Sequence, residues 1–198
     1  GDYYVTFTTP AGYAITTVNP NPFSTTDANN SDINAAGTTP TFTVADTDIT
    51  DIDAGFINGS LAGTVFTDTN GNGLDDDTAD VSGVSVQLFT AAGVQVTADA
   101  DGTTFGTAGT IMTDASGNYL FDNLPFGDYY VEFTNLPTNN VFTTQDVAVN
   151  PDDAIDSDAA TTNGQTGNYT LDAATPNVID VDAGVFVPAS IAGTAYSD

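Results

Sequence analysis

The chain has 198 residues and a formal net charge of −27, because it carries 27 Asp and Glu residues and no lysine, arginine or histidine. Without basic side chains it has no group that neutralises phosphate, which excludes nucleic-acid binding and attraction to anionic lipid headgroups. The absence of cysteine and histidine excludes disulfides, zinc and copper sites, and nucleophiles or bases built on those residues.

Short alternations of apolar and polar residues, separated by turn signals, predict an all-β chain. No segment has helical periodicity, and no apolar run approaches the ~20 residues that span a bilayer, so we expect no direct membrane insertion. In chain order the predicted strands are Leu61–Phe66, Val84–Phe89, Val94–Thr97, Thr110–Thr113, Tyr119–Phe121, Asp128–Thr134, Val141–Val149, Gly167–Leu171 and Val178–Phe186. Short strands at this spacing are typical of an Ig-like β-sandwich.

Several segments recur about 130 residues apart, which indicates domain-sized repeats. The matched pairs are Gly1–Thr8 with Gly127–Thr134, Asp53–Phe56 with Asp182–Phe186, and Ser60–Asp68 with Ser190–Asp198. We therefore predict the C-terminal part of one repeat over 1–57, a complete repeat over 58–188 and the first strand of another over 189–198. Either these residues belong to a longer array, or neighbouring identical chains complete the repeats in a polymer.

The uncompensated charge predicts cation binding. Any compact fold of this chain repels itself, so we expect cations from solution to neutralise it. Oxygen donors alone suit hard ions, calcium above all.

The most specific motif is Asp68–Asp77, which follows the spacing of a calcium loop with a glycine, Gly73, at position 6. The predicted ligands are Asp68, Asn70, Asn72, the carbonyl of Leu74, and Asp76. Position 12, normally glutamate, is Ala79, so Asp77 and Asp80 must substitute for it. The competing interpretation is a polar hairpin turn.

A second acidic group recurs in both repeats and predicts further metal ligands. In the complete repeat it comprises Asp153, Asp156 and Asp158, and in the preceding repeat Asp27, Asn30 and Asp32. The alternative is a solvated acidic loop.

Two other acidic positions are ambiguous. Asp114 is either a remote ligand or a turn residue that bonds its own backbone. Asp180 and Asp182 alternate with apolar residues, which predicts the solvent face of a strand, although a ligand role for Asp182 near the domain junction is an alternative.

A family resemblance extends over the whole repeat. It is carried by Ser60–Gly73, Thr113–Phe121, Leu124–Tyr129, Asp156–Ala159 and Asp182–Gly184. In this order the segments resemble the B repeats of serine-aspartate repeat adhesins of the SdrD type. The resemblance implies tandem Cna-B-like β-sandwich domains that bind several calcium ions and rigidify surface stalks.

By the same resemblance, the loop site consists of Asp68, Asn70, Asn72 and Asp76. The chain departs from the pattern at Ala79, and its lack of lysine rules out the Lys–Asn isopeptide cross-link of similar pilin domains. Bound calcium is then the main stabilising cross-link that we expect.

The leading functional hypothesis is a calcium-stiffened spacer in an extracellular or cell-surface stalk or filament, whose partners are neighbouring repeats or identical chains. The alternative is an adhesive module that binds a glycan or a cell-surface protein, with Tyr3, Tyr4, Tyr129 and Tyr130 available to stack on sugars. An enzyme is disfavoured, because only a pair of carboxylates remains to catalyse a reaction.

Overall fold

A computed structural model describes residues 1–16, 31–46, 48–49, 52–77, 79–147 and 153–195. These residues form an all-β structure with one short 3-10 turn, η1 (Asp153–Ile155). The strands are β1 (Asp2–Tyr3), β2 (Ala14–Ile15), β3 (Phe42–Thr43), β4 (Phe56–Ile57), β5 (Gly59–Thr67), β6 (Ser85–Thr90), β7 (Gln95–Val96), β8 (Thr110–Met112), β9 (Asn118–Leu124), β10 (Gly127–Thr134), β11 (Val141–Phe142), β12 (Tyr169–Leu171), β13 (Asn177–Val178) and β14 (Ala183–Phe186). None of the described residues belongs to a helix with the length and hydropathy of a membrane span.

Two five-stranded sheets make up the region from β5 to β14. One has the order β12-β10-β6-β7, with β8 also paired to β6, and the other has the order β11-β14-β5-β13, with β9 also paired to β5. Strands β13 and β14 run parallel to β5, whereas the other pairings in these sheets are antiparallel. The predicted all-β fold is confirmed.

The core lies between these two sheets, as the alternation in β10 predicts. Tyr129, Val131 and Phe133 are buried, and Tyr130 and Glu132 between them are partly exposed. The ring of Tyr119 in β9 meets that of Phe133 edge to face at 5.5 Å, which joins one sheet to the other.

The predicted strand Val178–Phe186 is interrupted, and this part of the prediction is wrong. Asn177 lies opposite Ser60 and Ala183 opposite Val65. Between these two pairs the 177–183 segment therefore has one residue more than β5. In the gap, the Val181 amide donates to the Ala62 carbonyl (3.1 Å). The interruption places Asp182 against β5 instead of leaving it in a regular ladder.

The predicted strand Val141–Val149 was also too long, because β11 ends at Phe142. Beyond it, Gln145 forms an isolated parallel bridge with Ser157, and Asp146 has a left-handed φ of 47°. The chain therefore leaves the sheet and crosses to the 153–158 segment. Positions 148 and 149 lie outside the described residues.

The region before β5 forms separate pairs. Strand β1 pairs with β3 and β2 with β4, and β4 is followed after Asn58 by β5. The division into repeats, with a boundary near residue 57, stays a prediction.

Candidate metal centre

The acidic loop begins where β5 ends, at a fully buried carboxylate. Asp68 is 0% exposed, and its Oδ1 accepts hydrogen bonds from the amides of Gly71 (2.6 Å) and Asn72 (3.1 Å). Its Oδ2 accepts from the Gly73 amide (2.8 Å) and from the Thr143 hydroxyl. Asp68 therefore fixes the path of the loop backbone and ties it to the segment after β11.

Two asparagines continue the loop. The Asn72 amide donates to Oδ1 of Asn70, and the Leu74 amide donates to Oδ1 of Asn72, each at 2.9 Å. Their side-chain amides reach the two carboxylate oxygens of Asp76, at 3.1 Å from Asn70 and 2.9 Å from Asn72. The structure thus brings four of the predicted ligands together: Asp68, Asn70, Asn72 and Asp76.

Glycine is required at the sixth position of the loop. Gly73 has a φ of +85°, a conformation that L side chains rarely adopt. A Cβ there would lie 2.2 Å from Cγ2 of Val147 and 2.9 Å from the carbonyl oxygen of Thr144. The loop consequently packs directly against the chain that follows β11.

The two predicted substitutes for the missing glutamate lie near the loop but in different places. Asp77 is half-buried, and its Oδ2 accepts the Thr69 amide at 2.5 Å. Asp80 is exposed and forms an isolated bridge with Phe66. Burial, followed by the charges of Asp80, Asp76 and Asp77, raises the pKa of Asp75. Asp75 is an acidic member of this site that the loop spacing did not single out.

The second acidic group lies directly against the loop. The Asp75 amide donates to the Ile155 carbonyl (2.7 Å), and the Ser157 amide donates to the Gly73 carbonyl (3.2 Å). Asp156, which is 4% exposed, forms an isolated bridge with Leu74. Two acidic segments separated by about 80 residues of chain are therefore in direct backbone contact.

Asp158 and Asp182 are paired at the buried side of this site. The Asp182 amide donates to Oδ2 of Asp158 (2.6 Å), and the Asp158 amide donates to the Asp182 carbonyl (2.9 Å). The Ser157 hydroxyl accepts the Gly184 amide at 3.0 Å. Both carboxylates are buried, at 3% and 7% exposure.

The same arrangement occurs before β5, where we predict the C-terminal part of a preceding repeat. There the Asp53 amide donates to Oδ2 of Asp32 (2.7 Å), the Asp32 amide to the Asp53 carbonyl (2.9 Å), and the Gly55 amide to the Ser31 hydroxyl (3.3 Å). Asp32 is 2% exposed. The recurring sequence thus produces a recurring buried Ser-Asp contact.

The sequence model of the SdrD B-like domain family matches residues 59–185, the span that contains both five-stranded sheets except Phe186, and the acidic site. The chain belongs to this family. Serine-aspartate repeat-containing protein F of Staphylococcus epidermidis is 36% identical over 167 residues, which is 83% of this chain and 9% of that protein. Protein D of Staphylococcus aureus is 33% identical over 171 residues, which is 83% of this chain and 11% of that protein. The chain spans about a tenth of the length of these relatives.

The predicted extracellular or cell-surface location agrees with membership of the SdrD B-like domain family. A minor pilin of Streptococcus agalactiae superposes with a TM-score of 0.47 at 13% identity, covering 82% of this chain and 69% of the pilin. The fold assignment rests on the strands and the family match.

One acidic residue of the SdrD B-like domain lies where the sequence did not predict it. The expectation that Asp182 faces solvent is wrong, because the extra residue between β13 and β14 turns its side chain towards β5. Oδ1 of Asp182 accepts a hydrogen bond from the Thr64 amide at 2.6 Å. In a regular sheet a backbone carbonyl of the neighbouring strand would accept this bond. Burial and the charges of Asp158, Asp180 and Asp75 raise its pKa to about 8, against a lowering by the Thr64 hydrogen bond.

The remaining predicted ligands are spread over several places. Asp114 is exposed, and its Oδ1 accepts the amides of Ser116 (2.8 Å) and Asn118 (3.0 Å), which are contacts of a turn residue. Asp153 lies in η1 beside the loop, but its side chain is not described. Asp27 and Asn30 fall outside the described residues. A ligand role for each stays a prediction.

The acidic loop of the SdrD B-like domain offers a mixture of carboxylate and carboxamide oxygens, which suits a hard cation. Within the described residues, no group of three or more acidic side chains is arranged to hold a metal ion. The loop instead combines the carboxylates of Asp68 and Asp76 with the carboxamides of Asn70 and Asn72. Oxygen donors of these types are the ones that calcium takes.

The tyrosines proposed for sugar stacking have different environments. Tyr129 is only 6% exposed and belongs to the core. The ring of Tyr130 is stacked on Phe89 with centroids 5.1 Å apart. Tyr3 and Tyr4 are exposed, at 56% and 65%. The adhesive alternative therefore retains Tyr3 and Tyr4 as its freely accessible rings.

The buried Asp182 predicts a pH dependence for the metal-free protein. Its folded pKa of about 8 exceeds the ordinary value of 3.8, so the folded state holds an extra proton between these values and unfolding releases it. Stability should therefore fall as pH rises from 4 to 8, by at most about 1.4 kcal/mol per unit from this group. Urea unfolding in chelator at several pH values measures it. Asp182→Asn should flatten the profile, and an unchanged slope in that variant would contradict the assignment.

Proposed function

We propose that this chain is a calcium-stabilised structural segment of an extracellular stalk or filament and acts as a rigid spacer between other parts of the assembly. The observation that carries the proposal is the convergence of the Asp68–Asp77 loop with the 153–158 segment. The Asp75 amide and the Ile155 carbonyl join the two at 2.7 Å. Membership of the SdrD B-like domain family supports a structural role at the cell surface.

Electrostatics explain why a cation would matter here. Asp68, Asp156, Asp158 and Asp182 are all less than 9% exposed, and the chain has no basic side chain to compensate them. Burying carboxylates without counter-charge is costly, and Asp182 avoids that cost by holding a proton at neutral pH. A cation bound by the oxygens of the others would offset the cost for them. Calcium would hold the loop and the 153–158 segment together, and it would supply no chemistry beyond charge neutralisation and cross-linking.

The proposed role is not enzymatic. The relatives are serine-aspartate repeat-containing proteins, and the acidic groups of this chain are engaged with backbone amides, as in Asp68 and Asp158. The partners we propose are neighbouring repeats or identical chains. Adhesion through exposed rings such as Tyr3 and Tyr4 remains the competing role, and glycan-array binding in the presence of calcium would favour it.

Small-angle X-ray scattering with and without calcium tests the spacer role. With millimolar calcium we expect the scattering profile of an elongated, ordered particle. In chelator we expect a larger radius of gyration and a Kratky plot that no longer returns to baseline, because the acidic segments repel one another. Magnesium is the matched control, since its strict octahedral geometry suits this site poorly. Superimposable profiles in calcium and chelator would contradict the proposal.

A further inference from the structure

A β-bulge in β9 directs an asparagine to the boundary between the two repeats. Gly59 pairs with Leu124 and Leu61 with Phe121, so two residues of β9 lie opposite Ser60 alone. The second of them, Asn123, has a left-handed φ of 52°. Bulges of this kind redirect a side chain out of the ladder.

Asn123 is the centre of a set of polar contacts beside the boundary, of which the contact with Tyr13 crosses it. Its Oδ1 accepts hydrogen bonds from the Asn58 side chain and, at a long 3.4 Å, from the Tyr13 hydroxyl. Its own amide donates to Oδ2 of Asp101 (2.8 Å), and its carbonyl accepts the Ala100 amide (2.8 Å). Contacts within the complete repeat therefore hold the Asn123 side chain in place, and its Oδ1 lies within reach of Tyr13 in the preceding repeat.

A backbone contact lies next to this side chain. The Phe126 amide donates to the Gly12 carbonyl at 2.7 Å, which joins the turn before β2 to the turn after β9. Gly12 has a φ of +84°, and a Cβ at this position would lie 2.4 Å from Cβ of Pro125. The two turns approach so closely that only glycine fits between them.

We propose that the Gly12–Tyr13 turn and the Asn123–Phe126 turn form an inter-repeat clasp that fixes the angle between successive repeats without metal. The inference rests on the proposed spacer function and deepens it by naming the surface through which adjacent repeats hold each other. All of the contacts across the clasp are hydrogen bonds or packing between neutral groups of the protein.

The clasp lies far from the acidic site of the complete repeat. Strand β5 begins at Gly59, beside the clasp, and ends at Thr67, immediately before the Asp68 loop. Nine residues of extended strand separate them by roughly 30 Å. Calcium in that loop would stabilise the complete repeat itself, whereas the clasp would set how the repeat is oriented on its neighbour.

The complete repeat contains the counterpart of the first turn, which supplies a matched substitution. The Asn140 amide donates to the Pro137 carbonyl (3.0 Å), as the Tyr13 amide does to the Pro10 carbonyl (3.2 Å). Asn139 has the left-handed φ, 69°, at the position of Gly12. Asparagine therefore suits the turn conformation, but at position 12 its Cβ would collide with Pro125. Gly12→Asn should preserve the turn and open the clasp.

The test is the distance between spin labels on the two repeats. The chain has no cysteine, so Ala45→Cys and Ser116→Cys, both exposed, give a single labelled pair. In saturating calcium we expect a narrow distance distribution for the labelled parent, and a roughly twofold broader one for Gly12→Asn, because small inter-domain contacts otherwise permit motion. Gly83→Asn is the control, since Gly83 also has a positive φ but no atom within 4 Å of its added Cβ.

A second variant covers the case in which Gly12→Asn unfolds the preceding repeat. Asn123→Gly keeps the left-handed backbone conformation and removes the side chain that contacts Tyr13 and Asn58, so it should broaden the distribution as well. Distributions as narrow as the parent's in the folded variants would overturn the clasp. Failure of the proposed calcium role has a separate signature, which is an unchanged melting temperature of the parent in chelator.

Discussion

Replacing Asp68 by alanine is expected to destabilise the complete repeat by about 3–5 kcal/mol, a large part of the stability of an ordinary domain. The carboxylate is fully buried and accepts the amides of Gly71 and Gly73 and the hydroxyl of Thr143. Alanine leaves these donors without their acceptor, and the loss is most costly at the Gly73 amide and the Thr143 hydroxyl, which are buried. It also removes the first ligand of the proposed calcium loop.

Urea unfolding in calcium measures the effect, and an exposed aspartate serves as its control. Asp172 accepts the amides of Ala174 and Thr175, each at 2.8 Å, but lies in an exposed turn. Asp172→Ala should cost about 1 kcal/mol or less, because water can replace the lost hydrogen bonds. Equal losses for the two variants would show that burial of Asp68 does not matter.

Removing calcium is expected to have the second largest effect. If the loop binds with a dissociation constant of about 10⁻⁴ to 10⁻³ M, 10 mM calcium stabilises the fold by roughly 1.4–2.7 kcal/mol per site. For a domain of this size, that corresponds to a fall in melting temperature of roughly 4–15 °C per site in chelator. Differential scanning calorimetry in calcium and in chelator measures the shift.

A loop variant separates bound calcium from general screening of the charge. Asp76 is exposed, and the protein groups that its carboxylate contacts in the loop are the amides of Asn70 and Asn72. Asp76→Ala should therefore melt close to the parent in chelator and gain much less from calcium. If the variant gained as much as the parent, the stabilisation would come from elsewhere in the acidic surface.

Local patterns in the sequence predicted a large part of the fold. The alternation in Asp128–Thr134 correctly placed Tyr129, Val131 and Phe133 in the core, because a period of two is a property of the strand alone. The errors at Val141–Val149 and Val178–Phe186 have a different origin. Val141–Val149 leaves the sheet after Phe142, and Val178–Phe186 changes register against β5. Both features depend on contacts with distant residues, about which apolar alternation contains no information.

For the candidate site, too, local spacing predicted some features and missed those that depend on distant residues. The spacing of Asp68, Asn70, Asn72 and Asp76 was enough to predict that their side chains converge, since a short loop brings such positions together. The contact between this loop and the 153–158 segment depends on the positions of β11 and η1, which local spacing does not specify. The burial of Asp182 depends on one extra residue between the pairings of β13 and β14 with β5. Its alternation with Val181 had predicted that its side chain faces solvent.

Calorimetric titration of the metal-stripped protein with calcium tests the central claim most directly. The account predicts saturable binding in the range of about 10⁻⁴ to 10⁻³ M, weakened strongly in Asp76→Ala and retained in Asp172→Ala. No saturable binding up to 10 mM calcium, or equal binding by Asp76→Ala and the parent, would contradict it.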